Sequence, residues 1–261
     1  MRIARFTTTP GGPPRYGEIT GSTVRPLDGD PYAPGAAPPA RTGERLPLDA
    51  VRLLAPVPPT AKIIGVGRNY AAHAAELGNA VPAPPLLFFK PYTAVTGPGA
   101  PIEVPAFSAD LHHEAELAVV IGARAKHVRA RDARGVVLGC TAANDVTARD
   151  VQRADVQFTR SKGFDTSCPL GPWIDTALAP DDLRVRCRVD GVTRQDGRTG
   201  QMVLGVDALI EHISAAFTLL PGDVILTGTP AGVGPLRPGQ TVEVDIEGLG
   251  VLSNPVVAGG G

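Results

Sequence analysis

The chain has 261 residues, 43% of them hydrophobic and 20% charged, so it can bury one substantial core, as one large domain or one plus a small appendage. A formal net charge of −1 excludes a global field that would favour nucleic acid or an anionic membrane surface. Three widely spaced cysteines favour reduced thiols over a disulfide framework or a zinc site. No apolar run approaches about 18 residues and no export signal is recognisable, so we expect a cytoplasmic protein without a membrane span.

The first part of the chain predicts a small β-rich module at residues 1–57. Short strand patterns separated by glycine and proline turns occur at residues 2–6, 16–19 and 23–27. A loop rich in proline, alanine and glycine is expected at residues 31–40, and the prolines of residues 55–60 predict a semi-rigid connector. We therefore expect a second, larger domain over residues 58–261.

An apolar strand at residues 62–67 leads into a helix predicted over residues 69–77, with Asn69 as its N-cap. His73 and Glu76 lie three residues apart on this helix and share a face. A carboxylate that orients a histidine ring and keeps its pKa near the working pH produces a general base. The alternative is an ordinary surface contact between the two side chains.

Residues 112–122 predict a buried strand that ends at a glycine and carries two acids at its entry. Because side chains at i and i+2 of a strand point to one face, Glu114 and Glu116 project together. At about 4 Å and an effective dielectric of about 20 they would repel by roughly 4 kcal/mol, which a bound cation or a proton relieves. Asp145 is the candidate third acid, and three carboxylates without a thiolate suit Mg²⁺ or Mn²⁺. The alternative is a pair of solvated carboxylates at a strand end.

The following segment adds candidate side chains for binding an anion. A strand at residues 136–143 leads to a helix that we predict to begin at Asp145, which places Asp145, Arg149 and Gln152 on one face. An acid, a guanidinium and an amide on one face could hold an anionic oxo-acid beside a cation. The alternative is a surface helix with an Asp–Arg salt bridge. Lys162, in a glycine-containing loop, is a contact for a phosphate-like group or a carboxylate, or else an exposed side chain.

The remaining patterns predict structural elements. They are a buried strand at residues 86–91, a solvated basic segment at 124–131, a hairpin turn at Asp190-Gly191, an amphipathic helix at 206–220, and a half-exposed strand at 241–247. The basic segment has no interleaved aromatic residues to stack bases, which argues against nucleic-acid binding. A strand from residue 224 opens into a glycine-rich loop, where Thr227 or Thr229 could line a site.

Several motifs in one order closely resemble those of the fumarylacetoacetate hydrolase family. They are Gly67-Arg68-Asn69-Tyr70-x-x-His73, His113-Glu114-x-Glu116, Asn144-Asp145-Val146-Thr147-Ala148-Arg149-Asp150-x-Gln152, Lys162-Gly163-Phe164-Asp165-Thr166, and Pro221-Gly222-Asp223-Val224-Ile225-x-Thr227-Gly228-Thr229-Pro230. The resemblance covers residues 60–257, and residues 1–57 resemble the small N-terminal module of many bacterial members.

The resemblance implies an α+β, predominantly β fold, a mixed β-roll or sandwich with short helices, usually in a homodimer. It implies a Mg²⁺ or Mn²⁺ site and assigns roles to nine residues: metal ligands Glu114, Glu116 and Asp145, catalytic residues His73, Glu76 and Lys162, and substrate-binding residues Arg149, Gln152 and Thr229. Larger members carry a fourth acidic ligand, but no acid lies between Lys62 and Tyr70 here, so we expect water to complete the shell. Ala72 and Ser167 also depart from the family pattern, which bears on substrate shape.

The implied substrate is a small 2-oxo or 2,4-dioxo carboxylic acid. We expect hydrolysis of a carbon–carbon bond in an acylpyruvate or fumarylpyruvate, with water activated by His73 and Glu76 and a pyruvate enolate stabilised by the metal. The same residues would also serve an oxaloacetate-type decarboxylase or a 2-hydroxyhepta-2,4-diene-1,7-dioate isomerase. A metal-binding scaffold without catalytic activity is the alternative of another class.

Overall fold

The computed structural model describes residues 1–33 and 39–259, and most of its regular structure is β-strand. The first ten strands are β1 (Arg2–Thr7), β2 (Arg15–Thr20), β3 (Thr23–Asp28), β4 (Ala40–Arg41), β5 (Leu46–Pro47), β6 (Arg52–Leu54), β7 (Ile63–Gly67), β8 (Leu86–Lys90), β9 (Val95–Thr96) and β10 (Ile102–Val104). The others are β11 (Leu111–His113), β12 (Ala115–Ile121), β13 (Val137–Asn144), β14 (Thr147–Ala148), β15 (Cys168–Asp175), β16 (Arg184–Val189), β17 (Val192–Arg198), β18 (Val224–Leu226), β19 (Gly234–Pro235), β20 (Thr241–Ile246) and β21 (Gly250–Ala258). The helices are α1 (Ala71–Glu76), α2 (Arg149–Ala154), α3 (Thr159–Lys162) and α4 (Val206–Ala216).

The largest sheet has 13 strands, with the path β4-β3-β2-β1-β15-β13-β12-β18-β7-β8. A second sheet has the order β10-β21-β20-β16-β17, and a small third sheet joins β14, β11 and β19. With its few short helices this is the expected α+β, predominantly β architecture. Thus the prediction of the fold class is confirmed.

The core lies on both faces of β12. Leu117, Val119 and Ile121 pack into a cluster that includes residues of the second sheet and of α4, whereas Ala118 and Val120 join a cluster on the opposite face. The alternation expected from the period of a strand is therefore present, with both faces buried. By this alternation Glu116 lies on the same face as Ala118 and Val120, near the N-terminal end of β12.

The predicted N-terminal strands form, and they continue the large sheet. In β1, Arg2 pairs with Asp175 and Ile3 with Ile174 of β15, both in antiparallel register. The boundary after residue 57 remains a prediction, because the module and the following residues share a sheet. Residues 34–38 of the loop predicted at 31–40 lie outside the described residues.

The helix predicted from residue 69 begins instead at Ala71, and Asn69 is not its N-cap. The Asn69 side-chain amide donates to the carbonyls of Leu204 and Thr227 at 3.0 and 2.8 Å, and its oxygen accepts from the backbone N–H of Leu204 at 2.9 Å. The N-cap role of Asn69 was predicted from the local pattern, but its side chain binds two segments that are distant in sequence. It fixes the entry to α1 by tertiary contacts.

Two further boundaries differ from the predictions. Helix α4 ends at Ala216, four residues early, and Leu220 is exposed rather than part of the core stripe. Leu220 is followed by Pro221, and the residue before a proline is disfavoured in the helical conformation, so the helix cannot easily include Leu220. The strand predicted as buried at residues 86–91 is the edge strand β8, where Phe89 is exposed and Lys90 is buried. By contrast, the hairpin at Asp190-Gly191 joins β16 and β17 as expected.

No helix within the described ranges is long and apolar enough to cross a membrane. Cys140, Cys168 and Cys187 are buried free thiols in this part of the chain, in agreement with the prediction of reduced cysteines.

Candidate active site and carboxylate cluster

Three buried carboxylates meet at one end of the β12–β13 pair. Each of Glu114, Glu116 and Asp145 offers an oxygen, and these oxygens lie within 4.8 Å of one another. The antiparallel register sets Ala115 opposite Asn144, so the acids that flank this pair are brought together. The backbone N–H of Asp145 donates to the carbonyl of Glu114 at 2.9 Å, which fixes the approach.

Asp145 is not helical, contrary to the sequence prediction. Strand β14 intervenes, and α2 begins at Arg149. Asp145 therefore reaches the two glutamates through strand register and not through the 3.6-residue period of a helix. The local prediction of the element was wrong; the three side chains that it grouped, Asp145, Arg149 and Gln152, nevertheless line one cavity.

Cations surround two of the three acids. Lys162 Nζ donates to Glu114 Oε2 at 2.9 Å and to Asp145 Oδ2 at 2.6 Å, and Arg149 Nη2 donates to Glu114 Oε1. Lys90, which sequence reasoning missed, donates to Asp145 Oδ1 at 2.5 Å. Its only signal in the sequence is a lysine at the end of an apolar strand pattern, where a buried charge needs a partner.

Glu116 has a different electrostatic environment from Glu114 and Asp145. Among the described residues it has no cation within ion-pair distance, and it accepts a hydrogen bond from the backbone N–H of Gly228 at 2.7 Å. Burial, together with the negative charges of Asp145 and Glu114, raises the pKa of Glu116 well above its ordinary value. Burial also acts to raise the pKa of Glu114, but Arg149 and Lys162 outweigh it and hold that pKa below its ordinary value.

The donor set fits a hard divalent cation. All three candidate ligands are carboxylates, they are buried, and no side-chain cation of residues 1–33 or 39–259 pairs with Glu116. Such all-oxygen clusters suit Mg²⁺ or Mn²⁺ better than Zn²⁺. Glu114, Glu116 and Asp145 could therefore hold a metal ion.

His73 lies beside this cluster on α1. Its Nδ1 is 3.4 Å from Glu76 Oε2, and its Nε2 is 4.0 Å from Glu114 Oε1. The backbone N–H of Gly232 donates to both Glu76 oxygens, at 3.0 and 3.2 Å, which holds the carboxylate in place. Burial lowers the pKa of His73, opposed by the charge of Glu114, and this shift favours the neutral ring. A neutral, oriented imidazole can accept a proton.

The three predicted substrate-binding residues differ in their contacts. Arg149 Nη1 donates to Gln152 Oε1 at 2.7 Å, so these two side chains form one unit. The Thr229 hydroxyl donates to the carbonyl of Ala115 at 2.8 Å, and Ala115 separates the two glutamates of the cluster. Thr229 thus supports the backbone of the cluster as well as lining the cavity.

Gln195 of β17 is a further residue that sequence reasoning missed. Its Oε1 accepts from the backbone N–H of Ala115 and contacts His113 Nδ1, both at 3.0 Å, and its Nε2 donates to Thr229 Oγ1 and to the carbonyl of Pro230, both at 2.7 Å. The side chain is fully buried. No local pattern singles it out, because it lies in a polar stretch that reads as an exposed hairpin strand.

A cavity of about 250 Å³ opens over the cluster. Eight of the nine predicted site residues line it: His73, Glu114, Glu116, Asp145, Arg149, Gln152, Lys162 and Thr229. Glu76 is absent from the wall because it lies on the Nδ1 side of His73, away from the carboxylates. Arg68, Arg153, Phe88 and Phe158 complete the polar and aromatic parts of the wall.

The fold and the site agree with the protein families whose models match this chain. The family described as fumarylacetoacetate (FAA) hydrolase C-terminal matches residues 62–257, and the Rv2993c-like N-terminal family matches residues 1–56. The chain belongs to the fumarylacetoacetate hydrolase family, as the sequence motifs predicted.

Relatives in this family carry several activities in their names. Protein Rv2993c of Mycobacterium tuberculosis is 48% identical, with 100% of this chain and 99% of that protein covered. The mitochondrial oxaloacetate decarboxylase of Dictyostelium discoideum is 45% identical over 72% of this chain and 89% of its own length.

Solved structures of family members are also similar to this chain. The 5-carboxymethyl-2-hydroxymuconate delta-isomerase of Mycobacterium smegmatis superposes with a TM-score of 0.90 at 47% identity, covering 99% of this chain and 100% of that one. The maleylpyruvate hydrolase of Sphingobium sp. SYK-6, solved with manganese(II) and pyruvate, gives 0.81 at 32% identity, covering 100% of both chains. The relatives therefore include hydrolases, decarboxylases and isomerases of small carboxylic acids.

Proposed function

We propose that this protein is a Mg²⁺- or Mn²⁺-dependent hydrolase of carbon–carbon bonds in acylpyruvate- or fumarylpyruvate-like 2,4-dioxo acids. The observation that carries the proposal is the placement of His73, whose Nδ1 lies 3.4 Å from Glu76 and whose Nε2 lies 4.0 Å from Glu114 of the carboxylate cluster. A hydrolase needs such a base to activate water, since water alone is a poor nucleophile.

In this reaction His73 takes a proton from water as the oxygen attacks the carbonyl farther from the substrate carboxylate. The adjacent carbon–carbon bond then breaks, and its electron pair leaves with the pyruvate fragment as an enolate. Protonation of the enolate carbon gives pyruvate, and the acyl fragment leaves as a carboxylic acid. Lys162 and Arg149 would offset the negative charge of the substrate head, while Gln152 and Thr229 would position it.

Glu114, Glu116 and Asp145 would hold the metal ion in this proposal. A bound Mg²⁺ or Mn²⁺ would supply Lewis-acid stabilisation of the negative charge that develops on the substrate oxygens. The maleylpyruvate hydrolase of Sphingobium and the fumarylpyruvate hydrolase of Pseudomonas aeruginosa were both solved with manganese and pyruvate, which supports this assignment. The expected homodimer and cytoplasmic location are retained as parts of the proposal.

Oxaloacetate chemistry and diene-dioate isomerisation are the second candidates. They are favoured by the names of relatives at 45 to 47% identity, which include an oxaloacetate decarboxylase, an oxaloacetate tautomerase and an isomerase. Decarboxylation produces the same enolate without water and gives the His73–Glu76 pair no role. Tautomerisation and isomerisation use the pair only to move a proton.

Pyruvate release separates these candidates. The substrates are acetylpyruvate, fumarylpyruvate and oxaloacetate, each with Mg²⁺, with Mn²⁺ and with a chelator. Metal-dependent release from an acylpyruvate but not from oxaloacetate is the expected result. Preference for oxaloacetate would replace the hydrolase by a decarboxylase. Absence of release from all three, with metal bound, would leave the isomerase and then the catalytically silent scaffold.

A further inference from the structure

Arg68 lines the cavity, and the proposed reaction gives it no role. It is half-buried, and no carboxylate of residues 1–33 or 39–259 lies within ion-pair distance of its guanidinium. The other long cationic side chains on the wall are paired: Arg149 and Lys162 with Glu114, and Arg153 with Asp110 at 2.7 Å. Within the described ranges, Arg68 is thus the cation of the cavity wall whose charge remains uncompensated.

The backbone at Arg68 adopts a conformation that a side chain disfavours. Its φ is 58°, in the left-handed region that favours glycine. The chain is held on both sides, since β7 ends at Gly67 and Asn69 makes three hydrogen bonds through its side chain. A long cationic side chain kept at a strained position beside a cavity points to a function for that side chain.

The sheet register gives the separation between Arg68 and the carboxylate cluster. Ala118 of β12 pairs with Leu226 of β18, which pairs with Gly65 of β7. Extending this register by two residues sets Glu116 and Gly67 at the same level, two strands apart. Two strand spacings amount to roughly 10 Å. The chain of a short dicarboxylic acid and the reach of an arginine side chain together can span this distance.

We propose that Arg68 is a carboxylate-binding subsite for the far end of the substrate, where it selects dicarboxylic over monocarboxylic 2-oxo acids. The planar guanidinium suits a carboxylate because it can donate two parallel hydrogen bonds. The proposal rests on the proposed function in one respect, namely that the 2-oxo-acid head binds at the carboxylate cluster. Substrates that end in a methyl group would leave Arg68 without a partner.

The test compares two unreactive acids of equal chain length, 2-oxoadipate and 2-oxohexanoate, which differ only in the distal carboxylate. Their binding to the full-length protein with Mg²⁺ is measured by isothermal titration calorimetry. We expect 2-oxoadipate to bind at least about tenfold more tightly. Arg68→Gly should bring this ratio below about two by weakening 2-oxoadipate alone, and Arg68→Lys should retain part of the preference.

Glycine accepts the left-handed backbone, so Arg68→Gly should fold, which a thermal melt checks. The matched control is Arg153→Gln, which removes a wall arginine whose charge Asp110 already satisfies and should leave the ratio unchanged. Equal binding of the two acids to wild type, or a ratio that Arg68→Gly leaves intact, would overturn the subsite and leave the hydrolase proposal standing. Failure of both acids to bind wild type would instead overturn the shared assumption about the head.

Discussion

Glu114 and Glu116 are two residues apart, yet the protein gives them opposite environments. Arg149 and Lys162 neutralise Glu114, whereas the buried Glu116 finds, in the part of the chain that the structure describes, a backbone N–H and no cation as its partner. A buried carboxylate without a cation favours its protonated form, and a divalent ion in the cluster would take the place of that proton. We therefore expect different effects from substituting Glu116 and from substituting an acid that pairs with cations.

We expect Glu116→Gln to leave the metal-free protein at least as stable as wild type, because the amide keeps the shape and removes an unpaired buried acid. The same change should weaken Mn²⁺ binding by more than about 100-fold, since loss of a ligand exceeds the usual effect of losing an outer partner. Thermal melts in chelator and calorimetric titration with Mn²⁺ measure the two effects.

The contrasting variant is Asp145→Asn, which leaves Lys90 and Lys162 without the carboxylate that both contact. Breaking a buried ion pair by removing one partner costs roughly 3–5 kcal/mol, so this variant should be clearly destabilised without metal. Equal melting temperatures for the two variants would contradict the asymmetry described above.

For His73→Ala we expect turnover to fall by roughly 10²–10⁴-fold, the usual contribution of a general base. Metal binding should be unchanged, because His73 Nε2 lies 4.0 Å from the nearest cluster oxygen. Steady-state kinetics and metal titration of the same preparation test both statements. Glu76→Gln should reduce turnover less, since it weakens only the orientation of the ring; unchanged turnover in His73→Ala would remove the base from the mechanism.

At the scale of elements, the site draws residues from the large sheet and from the second sheet. Strand β12 of the large sheet carries Glu116, and β17 of the second sheet sends Gln195 across to Ala115 and Thr229. The Gln195 amide therefore links the segment that carries the two glutamates to the loop that follows β18. This link predicts that a residue outside the cavity supports both stability and binding.

We expect Gln195→Ala to lower the free energy of unfolding by roughly 2–5 kcal/mol, because several buried groups lose their partners at about 1–3 kcal/mol each. Metal affinity should fall as well, since Ala115 separates two of the ligands. Urea unfolding and metal titration provide the measurements. The exposed Gln157 is the matched control, and Gln157→Ala should change neither quantity; an equally small effect at Gln195 would show that the link is dispensable.

At the scale of the whole molecule, the N-terminal module is part of the large sheet. Strand β1 pairs with β15, and Ile3 packs in the same cluster as Leu170 and Val224. We expect a chain that begins at residue 58 to lose cooperative unfolding, because it exposes the edge of β15 and one face of this cluster. Circular dichroism during thermal unfolding tests this, and a cooperative melt like that of the full chain would establish residues 58–261 as an independent domain.

Much of the fold and site was predictable from local patterns. The strand period placed Leu117, Val119 and Ile121 on one face, the Asp190-Gly191 turn predicted its hairpin, and the ordered motifs identified the family. These features depend on neighbouring residues or on short spacings, so they can be predicted from the sequence alone. Glu114 and Glu116 lie together as expected, although Glu114 stands in the break between β11 and β12 and not within the predicted continuous strand.

The tertiary structure decided the rest, because register and side-chain contact join residues that are far apart in the chain. Pairing of β12 with β13 brings Asp145 to the glutamates although it is not helical. Lys90 and Gln195 enter the site through contacts that span 55 and 80 residues. Local spacing and the family motifs thus indicated which residues could form the site, while long-range pairing determined which charges are compensated there and left Arg68 facing the cavity.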